Sequence, residues 1–510
     1  MKEKRKNILR RVGKGVLGTV LTLAVGAGGV VGYFAYAKNA DMTIRLNEDK
    51  TYQTFTGWGS AACWWSQMVT DQADREEIAR LLYSEEGLGL NIYRYNIGGG
   101  YDPEVERVDN PWRLTESFYY YNEESGEWEY DFTRDANAQA MLDTALSYGC
   151  IDTVVLFANS PHYTMTVSGM SSGGTEDYTS NLREDAYEEY VDYFLTITEY
   201  FLDKGVPVKM ISPINEPQWS WGGDWVGQEG CHYEEDEALR LMHLFAEELA
   251  ARNLPVTLCA PESGNIGDTT KRYFENMLAD EAIRSKIGTL AYHSYFSDDD
   301  RTAKVKLGSW LDSNAQGVPV AMSEWCELPC VNDTTSIAAA LRMARVISQD
   351  LTCTGVGSWS AWVAVNQHGT ERPAAGEDFS DGMISAADDF SEYDVTMRYH
   401  AMAHYAKYIP AGSVRIGASS TIYPLVTTKT DDGKTLFSTS VNYAAFLTPD
   451  GDTVLVVVNE GGERNLTVRT DRTQMTVIQT DATRQEETVY EGAVQEITLP
   501  ENSLVTILLK

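Results

Sequence analysis

The chain has few basic residues, few histidines and few cysteines for its length. Its 510 residues carry 41 Lys and Arg against 75 Asp and Glu, which gives a formal net charge of −34. Such an acidic protein repels nucleic acid and other polyanions, so a neutral ligand is favoured, although acidity for solubility alone would explain the charge equally well. The 7 histidines form no HxxEH-like run and the 7 cysteines have no zinc-ligand spacing, so we expect no metal and no cofactor.

The cysteines do not define a disulfide framework. They are scattered along the chain, and their odd number leaves at least one outside any intramolecular bridge. Cys326 and Cys330 flank Pro329 and are close enough in sequence to bridge, whereas buried free thiols are the commoner state. Both readings stay open.

A long uncharged run lies near the N-terminus. Seven Lys and Arg in residues 1–14 precede the apolar stretch Gly15–Ala37. This pattern predicts an export signal or membrane anchor over residues 1–40, because Ala35-Tyr36-Ala37 resembles a signal-peptidase site and the run is also long enough to span a bilayer. In both cases we expect the acidic bulk to lie outside the cytoplasmic membrane, secreted or tethered by this segment. We expect it to act as a monomer.

Eight short apolar runs alternate with helical patterns and close on polar or aromatic residues. Strands are expected at Gly57–Trp65, Gly89–Asn96, Thr153–Ala158, Val208–Ile211, Val256–Ala260, Thr289–Tyr292, Val318–Met322 and Gly355–Ser358. Helices are expected at Asp71–Tyr83, Glu184–Asp203, Glu235–Arg252, Lys271–Leu278 and Thr335–Gln349. The alternation predicts an α/β fold, a (β/α)8 TIM barrel over residues 57–408.

The pattern changes in the last hundred residues to short alternating runs separated by Gly, Asp and Asn turns. The runs are Leu436–Val441, Thr453–Val458, Leu466–Arg469, Met475–Thr480, Ala493–Leu499 and Leu504–Leu509. They predict a C-terminal antiparallel β-sandwich over residues 409–510, which the extended segment 41–56 is expected to join. No long Pro/Ser linker separates the two parts, so we expect them to pack rigidly.

Two of the apolar runs lead to a glutamate, Glu216 in Ile211-Ser212-Pro213-Ile214-Asn215-Glu216 and Glu324 in Ala321-Met322-Ser323-Glu324. The C-terminal ends of barrel strands converge on one face, so these distant residues can flank a single bond. Hydrolysis of a glycosidic bond needs two carboxyl groups, one protonated and one ionised. Each Glu alone is more often a surface or capping carboxylate, but the pair on barrel strands predicts a glycosidase. At a separation of about 5–5.5 Å, Glu324 would be the nucleophile and Glu216 the acid/base of a retaining reaction.

Other polar residues near these strand ends are candidates for supporting contacts. Arg94 ends an apolar strand and needs a carboxylate partner, which we expect to be Glu324, although a purely structural ion pair is equally consistent. Tyr295 and His293 are two residues apart and share a face; Tyr295 is expected to donate to the nucleophile, whereas His293 either binds a sugar hydroxyl or satisfies a buried polar group. Asn215 is placed to bond the sugar 2-hydroxyl, although Asn is common in turns.

Tryptophan is frequent at the strand ends, where indole rings suit the C–H faces of a saccharide. Trp362 is expected to form the floor under the sugar being cleaved, and Trp221 or Trp225 an outer platform. The other tryptophans of this face are expected to divide between the cleft and ordinary packing: Trp58, Trp64, Trp65, Trp219 and Trp359.

Residues 42–510 resemble glycoside hydrolase family 30, in the large clan of retaining barrel glycosidases. The resemblance rests on Gly57-Trp58-Gly59, Arg94-Tyr95-Asn96-Ile97-Gly98-Gly99, Asn159-Ser160-Pro161, Asn215-Glu216-Pro217, His293-Ser294-Tyr295 and Ser323-Glu324-Trp325. It implies a barrel with a side β-sandwich, Glu216 as acid/base, Glu324 as nucleophile, and supporting contacts at Arg94, Asn215, Tyr295 and Trp362. Asn159, in one of the quoted motifs, is a further candidate for substrate binding.

Trp64-Trp65, Met165-Thr166-Val167-Ser168-Gly169 with Ser171-Ser172-Gly173, and Gln228-Glu229-Gly230-Cys231 are similar to the β-1,6-galactanase branch of that family, which implies a galactan side chain as substrate. Tyr163-Thr164-Met165-Thr166 departs from the Tyr-Trp-Met-Thr of that branch, which implies that a stacking ring is missing there. β-1,6-Glucan, β-glucosides and β-xylosides stay open as substrates. A carbohydrate-binding relative without activity is the alternative to an enzyme, and it disagrees with the intact glutamate pair.

Overall fold

The computed structural model describes residues 40–224, 227–298, 300–328, 334–367, 370–372, 377–379, 381–421, 425–429 and 435–510. The expected export signal, the proposed platform at Trp225 and the Cys326–Cys330 bridge involve residues outside these ranges. Among the helices that the structure describes, none has both the length and the apolar composition needed to cross a bilayer.

The centre of the protein is a closed barrel of eight parallel strands paired in chain order, which confirms the predicted fold class. The strands are Gly57–Ala61, Ile92–Asn96, Thr153–Phe157, Val208–Ser212, Thr257–Asn265, Ile287–Tyr295, Val320–Glu324 and Ser358–Ala361, numbered below as the first to the eighth barrel strand. Every predicted barrel strand therefore exists, with ends that differ by a few residues.

The barrel interior changes from apolar at one end to polar at the other. Ile92 packs with Val155, Cys259 and Ala291 in a small apolar cluster inside the barrel. Side chains alternate between the two faces of a strand, so the inward residue after Ile92 is Arg94. Apolar side chains thus fill the barrel toward the N-terminal ends of the strands. Charged side chains lie toward the C-terminal ends, where barrel active sites form.

A helix follows each barrel strand. The helices are Gln72–Tyr83, Ala136–Ser147, Tyr187–Asp203, Glu235–Ala251, Asp268–Ala279 with Glu281–Lys286, Arg301–Asn314, Ile337–Gln349 and Met397–Ala406. The five predicted helices are confirmed. Arg301–Asn314 escaped prediction partly because it contains Gly308, a poor helix former. A Cβ at Gly308 would lie 2.0 Å from the carbonyl oxygen of Cys353, so close packing against a neighbouring turn requires glycine there.

The C-terminal strands join a nine-stranded sheet together with the N-terminal strand Met42–Thr54. The other members are Val414–Ser420, Val441–Leu447, Thr453–Asn459, Arg464–Arg469, Gln474–Thr480, Glu487–Ala493, Ile497–Leu499 and Ser503–Leu509. Neighbours are antiparallel except that Met42–Thr54 runs parallel to Arg464–Arg469. The single strand predicted at Leu436–Val441 is wrong, because Thr435–Thr439 pairs with Leu425–Lys429 in a separate hairpin and Val441 starts the next strand.

The strand Thr453–Asn459 joins this sheet to the barrel. All seven of its residues are buried, since both of its faces are covered. Val454, Val456 and Val458 belong to the main core, which includes the barrel, whereas Leu455 and Val457 belong to the separate core of the C-terminal sheet. This alternation builds one continuous apolar contact between the two parts.

Short insertions extend the loops at the C-terminal ends of the strands. They form a hairpin of Tyr119–Asn122 with Glu127–Tyr130, a three-stranded sheet of Val365–Gln367, Ile384–Ala386 and Tyr393–Val395, and the pair Thr370–Arg372 with Glu377–Phe379.

Candidate active site

Glu216 and Glu324 lie side by side at the C-terminal end of the barrel. Glu324 is the last residue of the seventh strand, and Glu216 lies four residues beyond the end of the fourth, at Ser212. One oxygen of each carboxyl group lies within 4.8 Å of the other, and the two residues are only 6% and 3% exposed. Carboxyl groups at about 5–5.5 Å are spaced for a retaining rather than an inverting reaction.

The backbone of Glu216 is held in an unusual conformation by its neighbours. Its φ is 46°, in the left-handed region that few non-glycine residues adopt. Its N–H donates to the carbonyl of Glu262 at 2.9 Å, and its own carbonyl accepts from the Trp221 indole at 2.9 Å. Such strain persists only where surrounding contacts hold it, and it is concentrated at functional sites.

Glu324 accepts the two hydrogen bonds that the sequence predicts. Arg94 Nη1 donates to its Oε2 at 3.1 Å, and the Tyr295 hydroxyl donates to its Oε1 at 3.1 Å. Burial raises the pKa of Glu324; the cations His293 and Arg94 oppose that rise and the charge of Glu216 adds to it, so the pKa stays above its usual value. His293 and Arg94 together therefore favour the ionised form of this buried carboxyl.

His293 lies between carboxylates on both sides. Its Nδ1 is 2.8 Å from Glu216 Oε1 and 3.6 Å from Glu324 Oε1, and its Nε2 is 3.1 Å from Glu262 Oε2. Burial disfavours the cation, but the three carboxylates outweigh it and raise the pKa of His293 to about 10. Both ring nitrogens are occupied by protein carboxylates, which fits the expectation of a buried polar group better than that of a sugar contact.

Glu216, His293 and Glu324 also present ligand atoms close enough together to hold a metal ion. A histidine binds a metal through an unprotonated ring nitrogen. Both ring nitrogens of His293 already lie within hydrogen-bond distance of carboxylate oxygens, Nδ1 of Glu216 and Nε2 of Glu262, so neither nitrogen is directed at open space. The donor set therefore does not fit a metal centre.

Glu262 is a third buried carboxylate at the site that the sequence analysis did not identify. It stands in the fifth barrel strand directly after Pro261 and receives hydrogen bonds from Ser212 at 3.0 Å, from Ser323 and from His293. Burial favours its neutral form, but Arg94, His293 and Ser323 lower the pKa of Glu262 to about 2. The signal that could have revealed it is the one used for the catalytic pair, a glutamate closing an apolar run.

Two buried asparagines offer unused acceptors. The Oδ1 atoms of Asn215 and Asn159 find no hydrogen-bond partner among the described residues. Asn159 instead donates to Asn96 at 3.4 Å, and Asn96 donates to Glu229 at 3.4 Å. Buried acceptors without partners are costly unless a ligand supplies donors, as sugar hydroxyls would.

Glu229 is a further buried carboxyl group beside these asparagines. Burial raises the pKa of Glu229 to about 8, although the hydrogen bond from the Gly99 amide lowers it.

A cavity of about 330 Å³ opens over the carboxylate pair. Its walls are aromatic and include the predicted floor Trp362, and the lining consists of Trp64, Arg113, Tyr178, Glu216, Trp219, Ser220, Trp221, Gln228, Tyr295, Phe296, Glu324, Cys326, Leu328 and Trp362. The ring of Trp362 meets that of Trp64 edge-on at 4.9 Å. Rings around paired carboxylates are suited to a saccharide, whose C–H faces stack on them.

Trp221, one of the two tryptophans expected as an outer platform, lies in the wall of this cavity. It is only 6% exposed, and its indole N–H is bound to the carbonyl of Glu216, so it supports the acid/base loop. Trp58, Trp65 and Trp359 are also core residues, each buried with its N–H satisfied inside the protein. Phe296, at 71% exposure and edge-on to Trp219, is an exposed ring in the lining of the cavity.

Comparison with known proteins agrees with this geometry. Residues 41–372 match O-Glycosyl hydrolase family 30, and residues 412–507 match the Glycosyl hydrolase family 30 beta sandwich domain. The chain is 27% identical to an endo-β-1,6-galactanase of Hypocrea rufa over 43% of this chain and 49% of that protein. It is 24% identical to an exo-β-1,6-galactobiohydrolase of Bifidobacterium longum over 59% of this chain and 26% of that protein. It therefore spans about half of one curated relative and a quarter of the other.

Among solved structures, a conserved exported protein from Bacteroides fragilis superposes with a TM-score of 0.76 at 22% identity, covering 91% of this chain and all of that one. The likeness extends the agreement to the whole fold, barrel and C-terminal sheet together. Since the match over residues 41–372 alone covers more than half of the chain, the protein belongs to glycoside hydrolase family 30.

Proposed function

We propose that the protein cleaves β-1,6-linked galactan through a covalent glycosyl-enzyme, with Glu324 as nucleophile and Glu216 as acid/base. The observation that carries the assignment is the pair of buried carboxyl groups with oxygens within 4.8 Å, at the bottom of an aromatic cavity. At that distance a sugar ring fits between them while one carboxylate attacks and the other transfers a proton.

The reaction follows from the contacts of the two residues. In the first step Glu324 bonds the anomeric carbon while Glu216 protonates the departing oxygen. In the second, Glu216 takes a proton from water, which attacks the anomeric carbon and releases Glu324, so the configuration is retained. Arg94 and Tyr295 hold both oxygens of Glu324 in place by the 3.1 Å contacts described above. Holding the nucleophile before substrate arrives reduces the cost of orienting it.

Three observations support a neutral saccharide as the substrate, and the first of them favours galactan. The two curated relatives described above are named for β-1,6-galactose activities. The strongly acidic chain favours a neutral sugar over a uronic-acid polymer. The open acceptors of Asn215 and Asn159 suit hydroxyl donors, and Trp362 provides a ring beside the catalytic pair.

The basic and apolar N-terminus supports a location outside the cytoplasmic membrane, where such polysaccharides are found.

The catalytic roles are tested by removing each carboxyl group and supplying azide as a small nucleophile. Glu324→Ala should abolish hydrolysis, keep saccharide binding, and with azide release the α-glycosyl azide, since azide then attacks in place of the nucleophile. Glu216→Ala should slow hydrolysis but retain activity on activated aryl glycosides, and azide should give the β-product. Glu184→Ala, a surface carboxylate at 77% exposure, is the control and should behave as wild type. Equal inertness of wild type and Glu324→Ala toward β-galactans and β-glucans would favour a binding protein instead.

The substrate is tested by profiling products from de-arabinosylated arabinogalactan and from β-1,6-glucan. Release of galactose or galactobiose supports the proposal. Glucose oligomers alone would refute the galactan assignment and leave the catalytic roles intact.

A further inference from the structure

Glu262 contacts both cations of the site but neither step of the reaction requires it. Its Oε2 is 3.1 Å from His293 Nε2 and its Oε1 is 3.6 Å from Arg94 Nη2, and the side chain is fully buried. Its backbone carbonyl also accepts the N–H of Glu216, so one residue anchors the backbone of the acid/base and the histidine that touches its carboxyl group. Its own φ is 55°, in the same left-handed region as that of Glu216.

The charges of this cluster determine how many protons it holds. The cations Arg94 and His293 face the three carboxyl groups of Glu216, Glu262 and Glu324. A buried group of this size is strongly disfavoured when it carries net charge. Two cations and three carboxyl groups balance when one carboxyl group is protonated.

The groups around Glu262 favour the ionised form of its carboxyl group. Ser212, Ser323 and the Cys259 thiol donate to it, in addition to the two cations. Every partner is a donor, so the ionised form is the one that fits this setting, and its pKa of about 2 agrees. The proton is left for Glu216 and Glu324, as a pair made of a general acid and a nucleophile requires.

We propose that Glu262 is a positioning residue whose carboxylate keeps the His293 ring protonated and thereby assigns the single carboxyl proton of the cluster to the catalytic pair. The proposal rests on the proposed roles of Glu216 and Glu324. It makes Glu262 part of the acid–base machinery without contact with the sugar.

Glu262→Gln tests the proposal because it removes the charge and keeps the shape. Loss of a nearby negative charge lowers the pKa of every neighbouring acid, so both limbs of the pH profile of kcat/KM should move to lower pH, by about one unit. Glu262→Asp keeps the charge and should return the limbs toward their wild-type positions even if kcat falls. Ser212→Ala removes one neutral hydrogen bond to the same carboxylate and should leave the limbs in place.

Nitrogen-15 NMR of the histidine rings gives a readout that needs no substrate. In the wild-type protein the His293 ring, assigned by its loss in His293→Gln, should stay doubly protonated well above pH 7, and in Glu262→Gln it should lose a proton at lower pH. The wild-type measurement alone keeps the proposal testable if Glu262→Gln does not fold. A neutral wild-type ring at pH 7, or a uniform fall in kcat at unchanged limbs and ring titration, overturns the proposal. If instead the wild-type ring is protonated but the Glu324→Ala variant remains active, the proposed catalytic roles are refuted and the role of Glu262 in protonating His293 is not.

Discussion

Replacing Arg94 by Met should move the acid limb of the activity profile to higher pH. The guanidinium lies 3.1 Å from Glu324, and both groups are buried, so the pair is poorly screened by water or salt. Two unit charges 4 Å apart are worth about 4 kcal/mol at an effective dielectric constant of about 20. An arginine neighbour typically lowers a carboxyl pKa by about 1 to 3 units, and each unit corresponds to about 1.4 kcal/mol.

The sign follows from the state that the reaction needs. Glu324 attacks only when ionised, and without Arg94 its pKa rises further above the usual value. The acid limb of kcat/KM should therefore shift upward by about 1 to 3 pH units, the size of the lost arginine effect. Rates at low pH should fall most, and those of variant and wild type should approach each other toward the alkaline side. The shift is opposite in direction to that expected for Glu262→Gln.

The assay is kcat/KM from pH 4 to 9 on the polysaccharide that the wild type hydrolyses best, below the melting temperature of each variant. Arg94→Lys is the matched control, because it retains a cation and should leave the limb close to its wild-type position. Arg94→Met should also melt earlier, since removing one partner of a buried pair costs about 3–5 kcal/mol. An acid limb that stays in place while activity falls equally at all pH values would refute the electrostatic role of Arg94.

Three further predictions concern the surroundings of the site. Gly264→Ala should lower kcat in a protein that still folds, because a Cβ there would lie 2.1 Å from the Trp219 indole nitrogen and force it away from its place; kinetics and circular dichroism check this. In the wild type, the ammonium group of Lys304 lies 2.9 Å from the buried carboxylate of Asp350. Lys304→Met removes that cation at a cost of about 3–5 kcal/mol, so it should lower the melting temperature but leave kcat/KM of the folded enzyme unchanged. His293→Gln should destabilise the protein most below pH 6.5, and the difference in melting temperature from wild type should shrink as the pH rises toward 10. The reason is that folding raises the pKa of His293 from 6.5 to about 10, and the stability that this gives is lost between those two pH values. A difference in melting temperature that does not depend on pH would contradict the protonated ring.

The fold could be predicted because its signals are local and repeated. Each barrel strand is a short apolar run that ends in polar residues, and such a run bounded by turn residues is sufficient to place the strand. The helix Ala136–Ser147 was not predicted, since it follows a long insertion rather than a strand directly. The break at Ser440 was also missed, because nothing in the sequence marks the point where one strand ends and the next, with a different pairing partner, begins.

The site could be predicted where the type of a residue indicates the kind of partner that it requires. Arg94 needs a carboxylate and Tyr295 an acceptor, and Glu324 satisfies both. The sharing of His293 between Glu216 and Glu262 was not predictable, because it depends on how strands far apart in sequence are oriented across the barrel. The hydrogen bond from the Trp221 indole to the backbone of Glu216 was not predictable for the same reason, because only the folded loop decides where the indole N–H points.

The central claim, that Glu324 forms a covalent bond with the sugar, is tested by trapping. An activated 2-deoxy-2-fluoro-β-galactoside should inactivate the enzyme with one label per chain, and peptide mass spectrometry should place the label on Glu324. A label on another residue would contradict the account.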